Sequence, residues 1–198
     1  MDKIDFSKDA LTSEEEIRTI TGYPHEHVIK KEIAKLDKHC EAFIAQSPLY
    51  FLSTSHAKGT CDVSPRGDQP NNVIVLNEHQ LVLPERPGNR RADSLLNILS
   101  NQHVGLVFLI PGLHEVLRIN GKATIIKNDD ILEKMSLDGK APLLGIGVDV
   151  EECFIHCARA LKRSGIWDQA TWDDKDELPS SMDIFRAHLE INGVKLQR

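Results

Sequence analysis

No stretch of this chain comes near the roughly 20 consecutive apolar residues that a membrane-spanning helix needs, and its opening, MDKIDFSKDALTSEEE, is too acidic and polar for a signal peptide. A membrane protein is not expected; the cytoplasm is the expected compartment. Positive charge is also in short supply, with 24 Lys and Arg against 30 Asp and Glu and a net charge of −6. No global field therefore draws in nucleic acid or an acidic membrane, and any anion must be held locally. Cysteine is sparse, at Cys40, Cys61, Cys153 and Cys157, and without a secretory signal four thiols in a chain of this length are read as reduced. The segment CFIHC brings Cys153, His156 and Cys157 together, but on a strand 153 and 157 face away from 156. No second Cys or His pair has zinc spacing, so no metal is expected. GxSxG, HExxH, P-loop and GxGxxG patterns are missing too, which leaves hydrolase and nucleoside-triphosphatase readings without support. Internal repeats and low-complexity runs are equally absent.

What is present is the balance of a folded globular protein: 40% apolar and 27% charged residues over 198 positions, enough for a single domain spanning 1–198. Thr12 and Ser13 stand before Glu15 and Glu16 at capping-box spacing, so a short helix is expected there, ending near Gly22-Tyr23-Pro24, within an N-terminal arm of residues 1–27. From Val28, apolar residues at 33, 36, 40, 43 and 44 predict one amphipathic helix that ends before Pro48 and packs on a sheet. Strands are expected at 49–56 and 60–65 around Lys58-Gly59, and as a pair turning at Asn77-Glu78. ADSLLNILSN reads as a short helix and HVGLVFLIPG as a buried strand. Asn120-Gly121 reads as a hairpin turn between two strands. NDDILEKMS is a helix started by Asn128, GIGVDVEECFIHCARALKR passes from strand into helix, and MDIFRAHLEINGVKLQR is a terminal helix with a tail. Six to seven strands in hairpin order with inserted helices predict a mainly β (α+β) fold, a small antiparallel barrel decorated by helices.

Three stretches carry chemistry. In LPERPGNRRADSLLNIL, Arg86, Arg90 and Arg91 gather around a Pro-Gly turn where a helix begins. If Asn89 caps that helix, Arg90 and Arg91 sit in its first turn, where charge and helix dipole repel. A phosphate bound there would turn the conflict into attraction, using free N–H groups and guanidinium forks. The alternative is a solvated loop whose arginines pair with Glu85 and Asp93. In DVSPRGD, alternation puts Ser64 and Arg66 on one strand face, either pointing into a cleft or serving as turn residues. In HCARALKRSGIWDQATW, Lys162, Arg163 and Ser164 precede Trp167, whose ring either lies beside a planar ligand or packs in an interface.

Taken in order, DVSPRGD, LPERPGNRRADSLLNIL, VGLVFLIPG, LRINGKATI and HCARALKRSGIW resemble the pyridoxamine 5′-phosphate oxidase-like FMN-binding split-barrel family, and most of all its bacterial branch with an RPGNRR signature. The resemblance runs from Ala42 to Trp172. It implies an FMN-binding split-barrel core over 42–172 with a C-terminal helical extension at 173–198, and a homodimer with the cofactor at the subunit interface. By motif it implies that Arg86, Asn89, Arg90 and Arg91 hold the FMN phosphate, with Ser94 a further donor. Ser64, Pro65 and Arg66 would run along the flavin or its ribityl chain, and Lys162, Ser164 and Trp167 would approach it from the same or the other subunit. The pattern that binds substrate near the end of the pyridoxal phosphate-forming oxidase is not recognisable in LEINGVKLQR, so that enzyme's own reaction is not implied. No acid or base stands out as catalytic, which fits chemistry carried by the flavin itself. The expected function is an FMN-dependent oxidoreductase acting on a small, planar substrate. The alternatives are a flavin carrier, sensor or stress-associated protein without turnover, and a split-barrel protein that binds haem.

Overall fold

Alternation along the strands builds the sheet. In β1 (Leu49–Ser55) Tyr50, Leu52 and Thr54 turn to a buried face, while β2 (Cys61–Gly67) turns Asp62, Ser64 and Arg66 to the same side. With β3 (Ile74–Asn77), β4 (Gln80–Glu85), β5 (His103–Leu109), β6 (Val116–Ile126) and β7 (Leu144–His156) they form one seven-stranded antiparallel sheet, in the order β2-β1-β5-β6-β7-β4-β3. This computed structural model describes residues 3–194; the first two residues and residues 195–198 of the expected tail lie outside them. The sheet is not closed, as in a split barrel, and its inner face buries Leu52, Leu81, Leu83, Leu106, Phe108, Leu117, Ile119 and Ile146. Burial of these side chains, roughly 1.5–3 kcal/mol each, is the main force holding the sheet in its curved form.

Helices α1 (Glu14–Thr21), α2 (Glu26–Lys30), α3 (Lys38–Gln46), α4 (Asp93–Ser100) and α5 (Asp129–Leu132) decorate this unit, which ends at Cys157. The expected capping box is present: the Glu16 amide donates to Ser13 Oγ, and Glu16 Oε2 accepts from the Ser13 amide. Asn128 caps α5 by accepting from the Ile131 amide at 3.1 Å. A second compact unit begins at Ala158 and holds α6 (Arg159–Ser164) and α7 (Ser181–Ile191). Among the described residues no helix is long and apolar enough to cross a membrane.

Two expectations are corrected. The single helix from Val28 to Pro48 is two helices, because Ile33 leaves the helical path to exchange backbone hydrogen bonds with Cys153 of β7 at 3.1 and 2.7 Å. Asp37 then starts α3 afresh, accepting from the amides of His39 and Cys40. Nor is Asn120-Gly121 a turn. β6 runs straight through it, with a register shift that marks a bulge. A Cβ at Gly121 would collide with the Asp149 carbonyl of β7, so glycine is required there for close strand approach rather than for chain reversal.

Candidate functional site

Where the two ends of the open sheet come near each other, side chains replace the missing backbone ladder. Arg66 on β2 reaches across to Glu85 at the end of β4, with Nη1 donating to Oε2 at 2.6 Å. One step further along, the polarity reverses: Asp68, just past β2, accepts from Arg86, just past β4, at 2.6 Å. Arg86 also donates to the Met135 carbonyl at 2.8 Å. These crossed pairs form a clasp, and its members, 9 to 22% exposed, are shielded enough to act as structural contacts.

Beside the clasp opens a cleft of about 860 Å³, within the roughly 300–1,000 Å³ range of small-molecule sites. Every residue that lines it belongs to the first compact unit. Its polar wall is a connected chain of hydrogen bonds. Arg66 Nε donates to Ser64 Oγ (3.1 Å), Ser64 Oγ lies 3.3 Å from Ser94 Oγ, and Ser94 Oγ donates to Asp62 Oδ2 (2.8 Å). Asn97 Nδ2 donates to Thr54 Oγ1 at 3.0 Å, and both side chains are buried, which fixes α4 against β1. The lining holds four arginines, 66, 86, 90 and 91, and four carboxylates, Asp62, Asp68, Glu85 and Asp93.

The loop between β4 and α4 departs from the expected geometry. Asn89 does not cap α4; its Oδ1 accepts from the Arg91 amide at 3.0 Å, in a local turn. The residue before the helix is Ala92, with φ 57° and no side-chain cap, and Arg90 has φ 64°. Arg90 and Arg91 therefore precede the first helical turn, and the dipole conflict expected of them is relieved by this detour. Two non-glycine residues in the left-handed region cost on the order of 1 kcal/mol each, a strain that marks functional loops. Arg91 pairs with Asp93 at 2.7 Å, as the solvated-loop alternative expects, whereas Glu85 is taken by Arg66. Arg90 is exposed and has no hydrogen-bond or ion-pair partner among the described residues. At the same place α4 starts without a side-chain cap hydrogen bond among the described residues.

The structure thus places Ser64, Pro65, Arg66, Arg86, Asn89, Arg90, Arg91 and Ser94 around one cleft. Lys162, Ser164 and Trp167 lie in the second unit, on α6 and just after it. There Ser164 Oγ donates to the Leu161 carbonyl at 2.9 Å. Sequence reasoning passed over Tyr50, Asp62, Asp68 and Glu85 as cleft residues. The alternation that singled out Ser64 and Arg66 applies equally to Asp62, so that one was within reach. Among the described residues no group of three or more His, Cys, Asp and Glu is placed to hold a metal. Cys153 is buried, and its thiol donates to Cys40 Sγ at 3.4 Å; burial raises the pKa of both thiols.

Residues 36–157 match the family model described as pyridoxamine 5′-phosphate oxidase. HupZ of Group A Streptococcus aligns with a TM-score of 0.50 at 16% identity, over 61% of this chain and 93% of that one. A candidate pyridoxamine 5′-phosphate oxidase of Lactobacillus delbrueckii aligns at 0.48 and 22% identity, over 62% and 95%. General Stress Protein 26 of Bacillus anthracis aligns at 0.45 and 13%, over 65% and 93%. At such identities the likeness to HupZ is one of fold. No curated protein matches the chain in sequence.

Proposed function

Because the chain belongs to the pyridoxamine 5′-phosphate oxidase family, matched over residues 36–157, we propose that it binds FMN in the cleft beside its clasp and acts as an FMN-dependent oxidoreductase on a small, planar substrate. The observation that carries the reading is Arg90, which has no partner among the described residues, beside the uncapped start of α4. A cation and free helix amides in one place form an anion site. The fit is good elsewhere too. The cleft has the size of a nucleotide-sized ligand, and Ser64, Ser94 and Arg66 supply hydroxyl and guanidinium groups along its wall. Family members commonly bind flavin, which supports the same choice.

In this reading Arg90, Arg91 and the Asn89 side chain hold the phosphate. Arg86, fixed by Asp68 and the Met135 carbonyl, adds positive potential behind them. Ser64 and Arg66 orient the sugar-like chain, and Pro65 borders it. The bound flavin would supply hydride or electron transfer, while the protein supplies position and electrostatics. We further propose a homodimer in the cytoplasm, with Lys162, Ser164 and Trp167 completing the site at the subunit interface.

All four carboxylates of the cleft accept a hydrogen bond or ion pair, and no histidine lines it among the described residues. Among the described residues the cleft thus offers no unengaged carboxylate and no histidine as acid or base, and a flavin carrier without turnover is the second reading that this favours. A haem site is the third reading: among the described residues no histidine, cysteine or methionine lines the cleft, and Tyr50 is the one lining side chain of a type that can ligate haem iron. Titration separates the readings. Quenching of FMN fluorescence at one flavin per chain, followed by reduction with NADH or NADPH and reoxidation by an acceptor, is the result expected of the oxidoreductase. FMN binding without redox turnover selects the carrier. No quenching, with a Soret shift on adding hemin, rejects both flavin readings.

A further inference from the structure

Tyr50 lies on the inner face of β1, directly across from Arg66 on β2 and Phe108 on β5. Its ring packs against Phe108, with centroids 5.1 Å apart, and the residue is only 4% exposed. It nevertheless lines the cleft. Among the described residues, every buried side-chain nitrogen or oxygen has a hydrogen-bond partner. The Tyr50 hydroxyl has none among these residues, so it is the part of this side chain that emerges at the cleft surface. Buried tyrosines usually satisfy that hydroxyl within the protein; this one is left for whatever enters the cleft.

The surroundings say which kind of atom that is. Arg66, Glu85, Asp68 and Arg86 all act electrostatically on the Tyr50 phenol, and burial together with the two carboxylates raises its pKa above the ordinary range, against the opposing guanidinium groups. The hydroxyl therefore remains protonated at neutral pH and can donate. Two arginines and two carboxylates cancel in formal charge, and each is already engaged in the clasp. An anionic group at Tyr50 would face Glu85 and Asp68 as well as the arginines, whereas Arg90, a cation without a partner among the described residues, is in the loop before α4. The phosphate belongs at the loop, and a neutral group belongs at the clasp.

We infer that Tyr50 is a further cofactor-binding residue, its hydroxyl donating to an uncharged oxygen of the bound ligand, a hydroxyl or a carbonyl. This rests on the flavin reading above and adds to it a contact outside the phosphate. The Phe108 side fixes the ring, so the hydroxyl is presented with little freedom to lose on binding.

The test is Tyr50→Phe, which keeps the ring and its packing. Because the hydroxyl has no partner among the described residues, the thermal midpoint of the flavin-free variant should stay within about 2 °C of wild type. FMN and riboflavin should both bind roughly three- to tenfold more weakly, and by the same factor, since both carry the neutral oxygens and only FMN the phosphate. Wild-type affinity of the variant for both flavins overturns the inference, as does weakening of FMN alone, which would place the phosphate at Tyr50. A flavin-free variant that melts well below wild type also overturns it, by showing that the hydroxyl has a structural partner. Wild-type protein that binds neither flavin removes the flavin reading and this contact together, an outcome distinct from the others.

Discussion

The cleft holds two sets of arginines whose situations differ sharply. Arg66 and Arg86 are about one-fifth exposed, and each grips a carboxylate from the opposite end of the sheet. Arg90 and Arg91 lie in the exposed loop; the Arg91 guanidinium pairs with its near neighbour Asp93, and the Arg90 side chain has no partner among the described residues. The first set substitutes for backbone pairing where the sheet is split, so its charge is committed to the fold. The second contributes little to folding, because exposed pairs are worth roughly 0–1 kcal/mol, and its charge is available to a ligand. Identical side chains within one cleft thus serve two purposes, decided by burial and by which acids the strand topology brings to them.

The largest effect should come from breaking the clasp. Arg86→Ala would leave Asp68, whose side chain is 9% exposed, charged and unpaired. A loss of about 2–4 kcal/mol in unfolding free energy is expected by urea denaturation of flavin-free protein, with weaker binding of every flavin. A change below 0.5 kcal/mol (about the size expected at an exposed site) would erase the distinction between the two sets.

Replacing Arg90 and Arg91 together by alanine should have the opposite profile. Stability should move by less than about 0.5 kcal/mol, while FMN should bind roughly 10- to 100-fold more weakly and riboflavin within about twofold of wild type. Equal weakening of both ligands would place these arginines away from the phosphate. Asp93→Asn sharpens the comparison from the other side, because it frees Arg91 from its 2.7 Å ion pair. FMN should tighten about two- to threefold, with riboflavin unchanged; weaker FMN binding would mean that Asp93 positions Arg91 productively.

The smallest effect is an acid-stability control outside the cleft. The Cys40 amide above all, with the amide of His39, holds the Asp37 carboxyl below its ordinary pKa. A carboxylate lowered in the folded state contributes stability above its unfolded pKa, near 4, and loses it as pH falls through the folded value. Asp37→Asn should therefore narrow the drop in thermal midpoint between about pH 5 and pH 3 without altering either arginine set. An unchanged acid limb would show that the α3 cap is unimportant.

Much of this could be read from sequence wherever the determinants are local. The hairpins at 49–56/60–65 and around Asn77-Glu78, the Ser13 capping box and the Asn128 cap depend on residues only a few positions apart. The cleft was harder, because β1 pairs with β5 and β4 with β7 across long intervals. Only those pairings bring Arg66 to Glu85 and Asp68 to Arg86, so the clasp is invisible in any short window. Asn120-Gly121 misled because the pair that favours a turn also suits a bulge, and the contact that decides is with Asp149 on another strand. Asn89 misled in a similar way: its side chain closes a turn on Arg91, and α4 starts four residues later. Tyr50 gave no local signal at all, since what distinguishes it is a missing partner.

The most direct test of the division between the two arginine sets is the ratio of riboflavin to FMN dissociation constants for the wild-type protein, measured by fluorescence titration at low and at moderate salt. Phosphate recognition by the loop requires FMN to bind at least about tenfold more tightly, with the ratio shrinking as salt screens the exposed Arg90 and Arg91. A ratio near one at both salt concentrations would contradict it, leaving the loop arginines without the anion assigned to them.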